Sequence, residues 1–577
     1  NPRFTYFLGG VEMISSDVIS YVKSDIVKFS FTVLTVIIFI LFIIFKRIKW
    51  VFSILLTSIS AVYLSIAFAG FINFEVTAVS ANFLSLMFVL SISMNVHLMN
   101  NYLQNKVTIM KNFKLMFWPC FYTFLTTVVA FISLVISDIK PITDFGIIMI
   151  IALSIVMISS FTILPLIISF FAKEENYNSL NLNFVKIIHL FANKYSKYII
   201  SINLIFLFIS IYGITNLNVE NSFVKYFKKN TDIYKGMSLI DNELGGTTPL
   251  DIILKFNDKE NSMNFTQEII EEDFEIEDDL FSDDLFENNN NNIWFTSEKI
   301  QTIKSIHKYL EDKYEIGKVV SIYSFIDTAN QINKYDLSIF ELSVLYNEIP
   351  MDYKSDLIDP YLNIENNMAK ISARVKDSAD IKRNELIKDI NFYLENEFDN
   401  LEEFQVNGLL VLYNNMLKTL FSTQIKSLGF VVLAIFIMFV FLFRSIKLSV
   451  LGIIPNIFAS TFILGLIGLF KIPLDIMTIT IAAISIGIAV DNTIHYIYRY
   501  KVNLKLYNNH NIIIEKTHLT VGNAVLITSI AITAGFITLC LSNFVPTVYF
   551  GIFTSLAMIF AMIGVLITLP SFFKYLR

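Results

Sequence analysis

Asp491 and His495 stand four residues apart in "AISIGIAVDNTIHYIYRY" (483–500), a stretch that is wholly uncharged as far as Val490. Residues four apart share one face of a helix, so a carboxylate and an imidazole would meet there. Their joint chemistry is reversible protonation. Burial disfavours the charged carboxylate and a nearby imidazolium favours it. A group poised between those effects can take up a proton on one side of a barrier and release it on the other.

Asp491 precedes Arg499 by eight residues, which places it roughly 12 Å in from that end of a helix. An unpaired carboxylate in hydrocarbon costs on the order of 3 kcal/mol by insertion scales, so such groups face a bundle interior or a wet path. A structural aspartate bonded to Ser or Thr of a neighbouring helix is the competing reading. Ala483, Gly487, Asp491 and His495 fall at i, i+4, i+8 and i+12 and form one stripe. Its small residues, Ala483 and Gly487, would let another helix pack closely. Asn492 is next to the carboxylate in the chain, and Thr528 and Thr533 of the following apolar run are candidate hydrogen-bond partners for Asp491.

These residues need elements to hold them, and the composition says which. Over half of the chain is apolar, with mean hydropathy +0.60. Runs such as "FSFTVLTVIIFILFIIF" (29–45) come close to the roughly 20 residues that cross a bilayer core. Eleven spans are expected, at about 28–45, 51–72, 78–101, 117–137, 142–171, 197–214, 427–443, 448–470, 474–498, 521–542 and 547–573. Helices satisfy their own backbone amides in lipid, so the expected class is a polytopic α-helical membrane protein. Lys and Arg cluster after alternate spans, as at Lys46, Arg47 and Lys49 or Arg444 and Lys447. That bias puts those loops in the cytoplasm and the long hydrophilic stretch outside it, in a multi-pass cell (inner or plasma) membrane protein.

The two halves match at a shift of 398, later 405. "FKRIK" (45–49) faces "FRSIK" (443–447), His97 faces His495, and Tyr102 faces Tyr500. Farther on, Phe131 faces Phe536 and Phe145-Gly146 faces Phe550-Gly551. This is a parallel repeat, of the kind related by an axis along the membrane normal. The first-half stripe is therefore Ser85, Val89, Ser93 and His97, and a two-fold axis would bring the two stripes together. Ser93 and His97 become relay neighbours on that ground, while either histidine is also open to a packing role.

The repeat sets the expected domains. Residues 1–27 correspond to the end of a first outer domain, and 28–173 form a five-helix bundle. Residues 174–196 form a cytoplasmic amphipathic linker in which Lys186, His189 and Asn193 share one face. Residues 197–214 open the second half, and 427–577 form its five-helix bundle. Between them, 215–426 read as an outer α+β domain with βαβ units. There, "GKVVSIYSFI" (317–326) and "MAKISARV" (368–375) read as strands. The segment 268–292 has eleven acids and no base, which suits a solvated insertion or a cation or partner surface. The pattern implies an N-terminally truncated chain, with a natural eleven-span protein as the alternative.

"GIAVDNTIHYIYRY" resembles the fourth-helix motif, repeated in the tenth, of the resistance-nodulation-division (RND) superfamily, in its MMPL-like and sterol-sensing-domain (SSD)-like branch. Gly487, Asp491, Asn492, Ile494, His495 and Arg499 fill that motif, with Ala489 at its second glycine. The resemblance implies twelve helices and two ferredoxin-like outer porter domains. It also implies proton-driven efflux or lipid export through the intramembrane Asp. This chain departs from the pattern in its first half, where Ser93 stands opposite Asp491 and Asn101 opposite Arg499.

The expected function is proton-motive-force-driven export of lipids or amphiphiles, with Asp491 and His495 as the relay. The alternative is a non-pumping lipid- or sterol-sensing protein, or an accessory to protein export. Expected partners are membrane lipids or an amphiphilic substrate, a second copy, or a periplasmic adaptor. No Walker A, HExxH or nucleophile elbow points to an enzyme. No basic patch suits nucleic acid, and neither cysteine sits in metal-ligand spacing, so no cofactor is expected beyond a proton gradient, with sodium as the other coupling ion.

Overall fold

The computed structural model describes residue 6 and residues 10–575, except 76, 78–79, 106–107, 138, 172–182, 218–221, 223, 258–293 and 378–381. The acidic segment 268–292 lies outside the described residues, as does 174–182 of the expected linker. The chain divides into two compact units. One comprises 1–11, 222–224 and 229–416; the other comprises 12–221, 225–228 and 417–577.

The larger unit is helical. Among the described residues, eleven helices are long and apolar enough to cross a membrane. The first five are α1 (Val11–Phe45), α2 (Ile48–Phe71), α3 (Phe83–Asn105), α4 (Ile109–Val135) and α5 (Lys140–Phe171). A short α6 (Asn183–Lys194) leads to α7 (Ser196–Thr215).

The smaller unit begins with α8 (Asp232–Glu243) and β1 (Thr248–Phe256). Next come α9 (Ser297–Glu311), β2 (Ile316–Val320), α10 (Ile322–Asn333), α11 (Ile339–Glu348), α12 (Met351–Leu357) and β3 (Leu362–Asn363). It continues with β4 (Met368–Val375), α13 (Arg383–Glu397) and β5 (Leu401–Asn407). The second bundle follows as α14 (Leu409–Phe443), α15 (Ile446–Leu469), α16 (Ile476–Leu504), α17 (His510–Ile537), α18 (Val545–Ile563) and α19 (Leu569–Phe573).

The repeat is visible in the backbone. Helices α1 and α14 are both 35 residues long, and α2 and α15 are both 24. Each long helix ends at a basic residue in the left-handed region, Lys46 (φ 51) and Arg444 (φ 46). Their amides close the last turn on the Phe42 and Val440 carbonyls, the αL way of ending a helix. Asn73 (φ 51) and Lys471 (φ 50) repeat the pattern after α2 and α15. Side chains agree. Phe131 meets Phe145 edge-on at 6.0 Å, and Phe536 meets Phe550 edge-on at 6.2 Å.

Two boundaries differ from the sequence reading. Helices α1 and α14 start well before their apolar runs, so residues 11–27 and 409–426 are helical and continuous with the spans. Apolar residues keep recurring at helical spacing there, in "VEMISSDVISYV" for example. At 1.5 Å per residue each helix is about 52 Å long, well beyond a hydrocarbon core of about 30 Å.

In the smaller unit the strands pair antiparallel in the order β2-β4-β1-β5, with β3 on β4. The two helices α9 and α13 therefore connect strands that are separated by one antiparallel neighbour. Ile252 pairs with Ile371 on one side and Val406 on the other. Leu250, Ile252, Leu254 and Ile371 bury one sheet face with Ile303, Ile306, Leu386 and Ile390 of α9 and α13. The expected strand 317–326 stops at Val320, because Ser321 turns the chain and caps α10 through the Tyr323 amide. The central strand β1 went unread.

Candidate ion-coupling site

Helix α16 starts under control of Asp475, whose carboxylate accepts the amides of Met477 (2.8 Å) and Thr478 (2.7 Å). From there its apolar residues are buried on nearly every side, including Ala483, Ile484 and Val490 at 0% exposure. A helix apolar all round belongs in the middle of a bundle. The two polar residues on its stripe therefore face protein.

Asp491 is the meeting point of three other side chains. Ser93 of α3 donates its hydroxyl to Asp491 Oδ2 at 3.2 Å. His495 Nε2 lies 3.3 Å from Oδ1, and His97 Nε2 lies 3.8 Å from Oδ2. The imidazoles of His97 and His495 stack face to face, with centroids 4.1 Å apart. Their side chains keep only 2% and 7% of their surface, whereas Asp491 keeps 16%, so the open side of the cluster is the carboxylate. Donor atoms of the three residues lie within 4.8 Å of one another, close enough to share one small cation as well as a proton.

Two close contacts hold the helices. A Cβ on Gly487 would stand 2.4 Å from Ala130 Cβ of α4, and one on Gly535 of α17 would stand 2.4 Å from Val89 Cγ2 of α3. Thr127 adds a hydrogen bond to the Gly487 carbonyl at 3.1 Å. These are the same contact twice, exchanged between the halves. Gly487 and Val89 of the two stripes thus pack crosswise on α4 and α17. Ser93, His97, Asp491 and His495 meet between α3 and α16. Ala483 is fully buried on the same stripe.

The remaining expected neighbours face elsewhere. Asn492 donates to Ser529 Oγ at 3.0 Å and accepts from Thr528 Oγ1 at 3.3 Å. Thr528 therefore binds Asn492 and carbonyls of its own helix, not Asp491. Thr533 offers its carbonyl to Ser555 at 3.2 Å. Polar pairs also tie each central helix to its predecessor. Asn95 donates to Ser58 at 2.9 Å, and in the other half Asn456 donates to Thr493 at 3.1 Å.

The structure of SecDF, a translocon-associated membrane protein from Thermus thermophilus, superposes with a TM-score of 0.56 at 12% identity, covering 96% of this chain and 62% of SecDF. The hedgehog release protein Disp of the water bear Hypsibius dujardini superposes with a TM-score of 0.62 at 12% identity, covering 97% of this chain and 71% of Disp. The chain shares its membrane-protein fold with these two structures. A membrane protein of Methanocaldococcus jannaschii is 23% identical over 362 residues, 62% of this chain and 84% of that protein. No protein-family profile matches the chain. This chain thus spans less than two thirds of the length of SecDF.

Within the bundle lie polar contacts that the sequence reading passed over. Tyr496 hydroxyl is 3.2 Å from His518 Nδ1, and Tyr500 hydroxyl is 2.8 Å from His510 Nε2. The ring of His518 is 5.5 Å from that of His189 on α6. The signal was present, since Asn492, Tyr496 and Tyr500 recur every four residues and mark a second polar stripe on α16. Helix α6 exposes Phe184, Ile187, Leu190 and Phe191 and buries His189 and Ala192 against the bundle. Apolar residues outward and an imidazole inward suit a helix lying at a lipid surface.

Proposed function

We propose that this protein is a proton-coupled RND-type transporter that exports lipids or other amphiphilic molecules. The observation that supports this reading best is the position of Asp491. It is a carboxylate between the central helices of two repeats, in contact with an imidazole from each. Coupling needs a titratable group whose partners change when the halves rearrange, and a group at their axis meets that need. Loading Asp491 with a proton weakens its attraction to His97 and His495, which frees α3 and α16 to move relative to each other. The outer α+β domain, ferredoxin-like in its interleaved βαβ units, would carry the motion to an amphiphile at the membrane surface. The basic loops favour a location of that domain outside the cytoplasm.

The test is proton-driven flux in proteoliposomes. Asp491→Asn is expected to abolish it without lowering the yield of folded protein, and full flux in that variant would refute the relay. A sodium gradient that drives flux where a proton gradient does not would reassign the coupling ion.

Ser93 favours a second reading. It occupies the place of a second carboxylate, so only one half carries an acid. A protein with this fold that senses lipid, or assists protein export as a translocon-associated neighbour does, needs less coupling capacity. Crosslinking to a translocon, or lipid binding that survives Asp491→Asn without any flux, would support that case.

A further inference from the structure

We propose that His518 and His189 form a proton port that connects the Asp491 cluster to the membrane face carrying the basic loops, with Tyr496 as its inner contact. The inference rests on the relay reading above and extends it to the route by which the proton leaves.

Geometry comes first. Tyr496 follows His495 directly in α16, and its fully buried hydroxyl reaches His518 Nδ1 of α17. Beyond it, His518 Nε2 and His189 Nδ1 are both buried and have no hydrogen-bond partner among the described residues. An unsatisfied buried polar atom costs about 1–3 kcal/mol, so both rings gain by taking a partner such as water. A cavity of about 10 Å³ adjoins His189, lined also by Asn193, Asn511, Ile514 and Pro570. That is near the volume one water needs.

The repeat supplies an internal control. The residues facing Tyr496 and His518 in the first half are Leu98 and Phe113, both buried. The fold is thus built once with apolar side chains at these positions. Polar ones appear only in the half that carries the carboxylate.

The charged and titratable groups around the port come from every helix packed on it. Tyr496 comes from α16, Glu515 from α17, Lys186 and Lys194 from α6 itself, and Lys574 from beyond α19. The Lys574 ammonium donates to the Asn193 carbonyl at 2.8 Å. Burial lowers the proton affinity of His189, and Glu515 partly offsets it. Such a ring is neutral at rest and holds a proton briefly. In transfer, His518 takes a proton on Nδ1 from the Tyr496 hydroxyl and gives up its Nε2 proton toward His189. Tyr496 is reprotonated from the Asp491 cluster, and His189 releases its proton to water.

The test uses the full chain in vesicles of phosphatidylethanolamine and phosphatidylglycerol, with pyranine inside and a valinomycin-set potassium potential. Asp491→Asn is expected to abolish proton flux. His518→Phe, which installs the first-half residue type, and His189→Leu should each cut it about tenfold or more, at an unchanged yield of folded protein. Imidazole added on the basic-loop side should restore flux to His189→Ala, which a merely structural histidine would not allow. Flux lost in Asp491→Asn but untouched in both histidine variants overturns the port and leaves the relay standing. A loss that imidazole cannot rescue also overturns it. Flux retained in Asp491→Asn removes the relay and the port together. Should His518→Phe fail to fold, His518→Gln takes its place under the same criteria.

Discussion

The imidazoles of His97 and His495, one from each repeat, lie 11° from parallel with 4.1 Å between centroids, and both present Nε2 to Asp491. Two unit charges at that separation repel by about 4 kcal/mol at an effective dielectric of 20. That repulsion opposes a second positive charge on the stack, which joins helices of different halves. Removing one ring should leave a working partner. His97→Gln is expected to reduce proton flux a few-fold, and His97→Gln with His495→Gln to reduce it by about a hundredfold. Dye-monitored flux in proteoliposomes measures both, and equal losses in single and double variants would show that the rings do not share a role.

Gly487 and Ala130 set how closely α16 approaches α4. With 2.4 Å between an added Cβ and Ala130 Cβ, Gly487→Ala has to push the helices apart. Overpacking of this kind costs about 1–3 kcal/mol. The melting temperature in detergent should fall accordingly, and Ala130→Gly in the same chain should recover most of it. The compensating change is the informative arm, because only direct contact predicts it.

Much of this was legible beforehand, for a physical reason. A repeat that holds register fixes which residues are equivalent, and so Ser93 and His97 could be set opposite Asp491 and His495 without coordinates. Spacing also exposes a stripe on one helix. It does not say which neighbour each part of that stripe meets. Gly487 turned to α4 because the halves pack crosswise there. Thr528 was placed on the wrong partner for the same reason, since one chain gives no rotation angle between helices. In the smaller unit, "TPLDIILKF" (248–256) was missed as a strand, although it alternates buried and half-buried positions. Its exposed face mixes Pro, Asp, Ile and Lys, which hides the alternation from a hydropathy scan.

Asn492 and Thr528 offer a negative control for the relay. Their hydrogen bond joins α16 to α17 and does not involve Asp491. Thr528→Val should therefore lower stability by about 1 kcal/mol and leave coupled flux per folded molecule unchanged. A loss of coupling as deep as that of Asp491→Asn would place Thr528 in the pathway after all.

Arg383 and Asp377 form a buried ion pair in the smaller unit, and Asp377 also accepts from Ser222 Oγ (2.8 Å) and the Val224 amide (3.0 Å). Burial pushes the Asp377 carboxyl above its usual range, and Arg383 pulls it back. Breaking a buried pair costs about 3–5 kcal/mol. Arg383→Met should show that loss most fully at neutral pH. The loss should shrink as the pH falls through the raised range of the folded carboxyl, before the ordinary carboxyl value is reached, because a protonated Asp377 needs no counter-charge. Urea denaturation followed by the fluorescence of buried Trp294 would measure it, and a pH-independent loss would argue for packing instead.

His189 makes the docking of α6 sensitive to acid, and the sign follows from linkage. Burial holds its proton affinity below the ordinary imidazole value, with Glu515 opposing. A released α6 therefore binds a proton that the docked helix does not. Stability of the docked state is fully present above the unperturbed value of about 6.5 and is lost as the pH falls below it. Protection factors across α6, corrected for the intrinsic exchange rate at each pH, should fall on acidification from neutral pH, while those of α17 hold. His189→Gln cannot titrate, so its protection factors should stay flat over the same interval. An unchanged acid response in that variant would assign the effect to Glu515 or to the bundle as a whole.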